Sequence, residues 1–273
     1  MNAAICCACA AGLLAAGAAA AEDLPLWELG GGVAGLRMPH YRGADQVKAW
    51  LLPIPWFVYR GEILRADRDG ARLRVARGLE WDVDFSVSAA PPTRSDENRA
   101  RAGMANLPAL AEIGPNLNVV LQRGREGSWE LRVPVRAAFT IQRDPRSVGW
   151  VAQPTLSFDR RHGEWNLGAT TGPVWGSRRY HGFFYDVDGA DVTVLRPAYR
   201  APGGAAGWQA TLSASRRSGR QWMAAFLRLD TVAGASFESS PLVRRQNNVS
   251  FGVAWSWIWA QPDQRVPDPD ARR

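Results

Sequence analysis

The sequence predicts an all-β protein, a closed antiparallel transmembrane β-barrel, and three observations support this prediction. Many segments alternate apolar and polar residues, these segments are long, and several carry a tryptophan near one end. In residues 79–89 every odd position is apolar and every even position is polar, and residues 128–142 repeat the pattern except at Pro134 and Ala138. Such alternation is typical of strands with one apolar face and one polar face.

Segment length separates a membrane barrel from a soluble β-sandwich. Strands of soluble domains run about five or six residues, whereas a tilted strand that crosses a bilayer needs about 9–11. The alternating segments match the longer class. Tryptophans near their ends fit the aromatic girdles of a membrane barrel, although a single one of them would fit a soluble core equally well. These residues are Trp129, Trp150, Trp165, Trp175, Trp208, Trp222, Trp257 and Trp259.

The alternating segments predict about twelve strands, an even number that places both chain termini on the periplasmic side. Short connections alternate with longer ones, as periplasmic turns and outer loops do in such barrels. If residues 62–77 form one distorted hairpin, or if residues 179–200 add a strand, the count becomes about ten or fourteen. The expected strands are 26–36, 48–60, 62–67, 71–77, 79–89, 112–123, 128–141, 148–159, 164–175, 206–215, 221–231 and 248–259.

We assign the barrel to residues 22–260. The segments on either side of it differ from it in composition. Residues 1–21 are rich in alanine, uncharged after Met1 and Asn2, and end in Ala19–Ala21, which predicts a cleaved secretory signal peptide. All the cysteines lie there, so disulfides, thiolate metal sites and cysteine nucleophiles are excluded from the mature chain, and lipidation at Cys6 is the alternative reading. Residues 261–273 are polar and proline-rich and are expected to form a periplasmic tail.

The sequence offers no catalytic, cofactor-binding or metal-binding constellation. His40, His162 and His181 all fall in connections, and none has a partner at metal-ligand spacing. Residues 67–70 resemble a calcium loop only superficially and predict a tight turn. We therefore expect a protein that is not an enzyme and needs no cofactor. A barrel hydrolase with Ser, His and an acid on neighbouring strands is the alternative.

The net charge of +7 comes almost entirely from arginine, since Lys48 is the single lysine. The arginines are scattered through turns of a secreted chain, so we expect no nucleic-acid binding. Arginines outside the barrel suit lipopolysaccharide phosphates. Polar-face charges are expected to point into the lumen, where they either pair with one another or line a small pore. These charges are Glu80, Asp82, Asp84, Glu130, Arg132 and Arg136.

Six short motifs in order resemble the MipA/OmpV family (MltA-interacting protein) of outer-membrane proteins of Gram-negative bacteria. The chain departs from the family pattern at Tyr180-His181, where the family has Tyr-Tyr, and in the polar tail after Trp259. The matching segments are YRGAD at 41–45, LPIPWFVYR at 52–60, RAGMANL with EIGP at 101–107 and 112–115, YHG at 180–182, YRAPGG at 199–204 and SSPL at 239–242.

The resemblance implies an outer-membrane scaffold that holds murein-processing enzymes, a lytic transglycosylase and a penicillin-binding protein. A small-solute pore or an adhesin-like surface-contact barrel is the alternative. Arginines are concentrated on the short connections, where they could steer an acidic partner, although solvated turns that bind nothing explain them equally well. The candidate partner-binding residues are Arg160, Arg161, Arg216 and Arg217.

Overall fold

A computed structural model describes residues 24–60, 64–67, 70–78, 80–124 and 127–266. The predicted signal peptide and the last seven residues of the tail lie outside the described residues. The strands are β1 (Leu24–Pro25), β2 (Trp27–Pro39), β3 (Val47–Arg60), β4 (Leu64–Asp67), β5 (Gly70–Arg77), β6 (Trp81–Ala90), β7 (Leu110–Gly124), β8 (Gly127–Thr140), β9 (Ser147–Ala152), β10 (Thr155–His162), β11 (Trp165–Gly176), β12 (Gly204–Ser218), β13 (Gln221–Thr231), β14 (Asn247–Ala260) and β15 (Arg265–Val266).

Strands β2 to β14 form one antiparallel sheet whose pairings make a closed circuit. β14 pairs with β2, and both β9 and β10 lie between β8 and β11. β9 and β10 are therefore two halves of one barrel strand, interrupted at residues 153–154, where Pro154 has no N–H to donate to a neighbouring strand. Counted in this way, the described strands give a barrel of twelve, as the sequence predicts.

The two faces of the strands are those that the alternation predicts. On β8 the side chains of Trp129 and Val135 are exposed on the outside, whereas Glu130 and Ala138 are buried. From Val249 to Trp259 the outward residues of β14 are all apolar, and its inward-facing Ser250 and Ser256 are buried. The outward set on β14 is Val249, Phe251, Val253, Trp255, Trp257 and Trp259.

Residues 179–200 do not add a strand, so that alternative is wrong. Helix α1 spans Arg178–Tyr185, and Ser177 caps it because its hydroxyl accepts a hydrogen bond from the Tyr180 amide at 3.2 Å. One face of α1 buries His181 and Tyr185, which the alternating pattern could not reveal. No described helix is long and apolar enough to cross a membrane.

The two ends of the described chain meet below the barrel. β1 pairs with β15 through Leu24 and Val266, and the Leu26 amide donates to the Gln264 carbonyl at 3.0 Å. The first residues of the predicted tail are thus held against the start of the barrel.

Candidate functional site

The long outer loops pack into a cap with its own apolar core at the outer mouth of the barrel. Tyr185 of α1 stacks on Phe237 of the β13–β14 loop, with ring centroids 3.8 Å apart. Tyr41, Val187 and Leu242 complete the centre of this cluster and are buried. We call the loops at residues 40–46, 91–109, 177–203 and 232–246 the cap.

Hydrogen bonds lock the cap loops to one another across the mouth. The Tyr41 hydroxyl donates to the Leu242 carbonyl and the Tyr185 hydroxyl to the Arg42 carbonyl, each at 2.8 Å. The guanidinium of Arg101 is buried and donates to the Phe184 carbonyl at 3.1 Å. Because these loops begin on strands spread around the barrel, the bonds between them close the outer mouth.

One side of the lumen holds a paired polar network. The Asn116 amide donates to Asp84 at 3.0 Å, and the Asn118 amide donates to Asp84 at 3.0 Å and to Asp82 at 3.2 Å. Above them, the Tyr180 hydroxyl of the cap donates to Glu112 at 2.8 Å. Among the charges expected to point inward, Arg132 pairs with Glu130 at 3.2 Å, whereas Asp82 and Asp84 accept from asparagine amides.

A buried carboxylate ties together the periplasmic end of the lumen. Glu28 is 0% exposed and accepts from the Arg60 guanidinium at 2.9 Å and from the Trp56 indole N–H at 3.1 Å. It also pairs with Arg217 of β12. We call Glu28, Trp56, Arg60 and Arg217 the Glu28 cluster. It joins β2, β3 and β12 where the strands end.

The other side of the lumen is apolar, which the sequence analysis missed. β3 is apolar on both faces, and its inward residues Trp50, Leu52, Ile54 and Trp56 share a face with Ala34 of β2. A cavity of about 250 Å³ lies beside this wall in the lumen, at the level of β12 to β14. The available sign of an apolar inward face was the unbroken apolar run 49–59. Because this run does not alternate, the pattern cannot separate its inward residues from its outward ones.

The four candidate arginines divide between two environments. Arg160 and Arg161 are exposed near the end of β10. Arg216 donates to Glu164 at 2.8 Å and lies over the Trp165 ring at 5.8 Å. Arg217 pairs with Glu28 inside the barrel, so the structure does not bring all four to one surface.

The described residues contain no group of three or more side chains that could hold a metal ion. His181 is buried in the cap, where its Nδ1 donates to the Pro202 carbonyl at 2.7 Å. Loss of solvation lowers the pKa of His181, and Arg42 and Arg178 lower it further, against the opposing effect of the Pro202 bond. Burial also lowers the pKa of His40, the first residue of the cap.

We expect acid to loosen the cap. Both histidines have a lower pKa in the folded state than their ordinary 6.5, so the unfolded segment binds more protons as the pH falls below that value. Stability of the cap is therefore lost with acidification. Limited proteolysis of the barrel in detergent should nick the cap loops faster at about pH 5.5 than at about pH 8. In His181→Asn that difference should shrink, and an unchanged pH dependence would contradict the assignment.

A comparison with protein families decides the identity. A family model described as MltA-interacting protein MipA matches residues 31–259. The chain belongs to the MipA family. The family resemblance of the short motifs is confirmed, and this MipA-family chain is a barrel of the Gram-negative outer membrane.

Solved outer-membrane barrels are similar to this MipA-family chain only distantly. An outer membrane channel from Pseudomonas putida F1 is 12% identical, with a TM-score of 0.47 over 88% of this chain and 98% of that chain. Outer membrane phospholipase A from Escherichia coli is 9% identical, with a TM-score of 0.35 over 84% and 89%. No curated protein matches the sequence significantly. The architecture of the barrel therefore rests on its own strand pairing and on the family match.

Proposed function

We propose that this protein is a non-catalytic outer-membrane scaffold that holds murein-processing enzymes, a lytic transglycosylase and a penicillin-binding protein, at the periplasmic face. The observation that carries the proposal is the packing of the cap over the outer mouth of the barrel. The cap covers the outer mouth and the Glu28 cluster joins three strands at the inner one. A barrel of this kind suits an anchor better than an open aqueous pore.

The family description adds the class of partner. The matching family is described as MltA-interacting, which supports a protein partner in murein processing. Near the periplasmic end of β10, Arg160 and Arg161 are exposed, with Arg160 on the outward face opposite Leu167 and Arg161 on the inward face opposite Asn166. Exposed arginines steer an acidic partner and make its binding weaker as salt rises.

Replacing Arg160 and Arg161 with Ser is expected to lower co-purification of a lytic transglycosylase from solubilised envelopes. Exposed ion pairs contribute about 0.2–1 kcal/mol each, so the double substitution should weaken binding by about two- to thirtyfold. The loss should grow smaller at high salt, since screening already weakens the same contacts.

The matched control removes the same charge from the other end of the barrel. Arg143→Ser with Arg146→Ser changes two exposed arginines of the outer β8–β9 loop and should leave co-purification unchanged. Equal loss in both double variants would contradict a periplasmic contact. Steady single-channel conductance from the unsubstituted barrel would favour the pore instead.

A further inference from the structure

Among the residues that the structure describes, the barrel wall is incomplete between β3 and β6. β3 pairs with β2 along its length, but with β4 only at Tyr59 and Arg60. β6 pairs with β5 only at Asp82–Phe85. Among the described residues, Val47–Val58 and Ser86–Ala90 have no strand partner on the sides that face each other. The β4–β5 hairpin therefore occupies its two strand positions only at the periplasmic end.

The edges of this opening are defined by ordered contacts. On the outer side, Lys48 pairs with Glu97, and the Gln46 side chain accepts from the Arg99 amide at 2.6 Å. The cap thus crosses from β6 to β3 above the opening, and the hairpin bounds it below. Two strand positions of about 4.8 Å each leave a gap roughly 10 Å wide. We call this gap the window.

The sequence of β3 suits an unpaired edge that faces lipid. Unsatisfied N–H groups are costly in hydrocarbon, and proline, which has none, is confined to edge strands within sheets. Pro53 and Pro55 lie in the unpaired stretch and face Val33 and Gly31 of β2. Leu51 lies on the outward face between the two prolines and the cap, and it is 78% exposed. The β3 edge of the window therefore lacks two backbone donors and carries exposed apolar surface.

Apolar side chains continue from the window into the lumenal cavity. Leu52 points inward at the window edge, is 38% exposed, and faces Ala34, which lines the cavity. The Trp56 ring lies 4.8 Å from the ring of Trp222, another lining residue. The lining is mostly apolar, and four polar residues interrupt it, among them the carboxylate of Asp159. The apolar lining includes Leu36 and Phe226, and the other polar residues are Asn166, Ser213 and Ser215.

We propose that the lumenal cavity binds a small amphipathic molecule, which enters from the membrane lipid through the window. The apolar body of the ligand would lie on Trp222 and Phe226, and a hydrogen-bonding group would meet Asn166 and the two serines. At about 250 Å³ the cavity is smaller than the roughly 300–1,000 Å³ of drug-sized pockets, so the ligand is small. The cap covers the outer end of the lumen, and the window opens the lumen toward the lipid. This site is independent of the proposed scaffold function.

A single thiol at the cavity tests the route, because all the natural cysteines lie within residues 1–21. Ser213→Cys is purified from outer membranes, reconstituted into phosphatidylcholine vesicles and treated with N-phenylmaleimide, which partitions into lipid. A parallel sample receives the water-borne reagent 2-sulfonatoethyl methanethiosulfonate. Asp144→Cys, on the exposed β8–β9 loop, gives the reference rate for each reagent, and the unsubstituted protein gives the background.

Relative to Asp144→Cys, the thiol of Ser213→Cys should favour the lipid-soluble reagent by about tenfold or more, since apolar solutes cross from lipid more readily than charged ones. Adding Leu52→Asp places a hydrated carboxylate on the window edge and should slow the lipid-soluble reagent by about tenfold. Heat-modifiable migration verifies folding, and Leu52→Trp, which narrows the window, replaces the Asp variant if that one does not fold. Equal relative rates for the two reagents, or no effect of the folded Leu52 variant, would overturn the proposal.

Discussion

Replacing Glu28 with Ala is expected to destabilise the barrel by about 3–5 kcal/mol, the typical cost of removing one partner from a buried ion pair. Glu28 is fully buried and accepts from Arg60, Arg217 and the Trp56 indole. Without its carboxylate, two guanidinium groups lie close together with no counter-charge. The loss should appear as a lower urea midpoint for unfolding in vesicles, followed by heat-modifiable migration.

Glu164→Ala is the matched control for this substitution. Glu164 also pairs with an arginine at the same end of the barrel, Arg216, but its side chain is 57% exposed. An exposed pair of this kind contributes about 0–1 kcal/mol. If the two Ala variants unfold at the same urea concentration, Glu28 does not hold the inner mouth together.

Val135→Arg is expected to destabilise the folded barrel in a bilayer by about 2–4 kcal/mol. This is the range for a cation at the bilayer midplane on the lipid face of a barrel. Val135 lies within β8, is 43% exposed on the outward face, and pairs with Ala152 of β9. The same effect is expected at Val83 on β6, which also faces outward. Reversible urea titration in vesicles measures both.

The control places the same cation on the inner face. In Ser88→Arg the new side chain points into the lumen. Its cross-strand neighbour is Glu112, so the cation lies near a carboxylate. Asp84→Arg is a poorer control, because Asp84 is buried and accepts from Asn116 and Asn118. Equal destabilisation by Val135→Arg and Ser88→Arg would mean that the faces are wrongly assigned.

Much of the barrel could be predicted from the sequence because alternation has a period of two along any strand with unlike faces. The predicted strand 128–141 is observed as Gly127–Thr140, and 248–259 as Asn247–Ala260. Where both faces of a strand are apolar, the sequence does not alternate, so it does not show which residues point inward. The apolar lumen beside β3 therefore went unrecognised, although the run 49–59 was visible.

Features that depend on contacts between distant loops could not be predicted. The cap core joins Tyr41, Tyr185 and Phe237 from three connections that show no periodic pattern. Arg217 appeared equivalent to Arg160 in sequence, as one of a pair before a turn. Its inward direction follows from register, since it lies opposite Trp222, a residue that lines the cavity.

The seam between β14 and β2 sets the order in which the barrel must assemble. Its pairs join the last barrel strand to the first, and the Asn248 side chain that accepts from the Gly43 amide lies 205 positions away in the chain. Contacts at such separation require the largest loop closure and form slowly. Until β14 arrives, β2 presents an open hydrogen-bonding edge that can pair with another chain. We therefore expect the interval before closure to be when this protein depends most on chaperones in the periplasm.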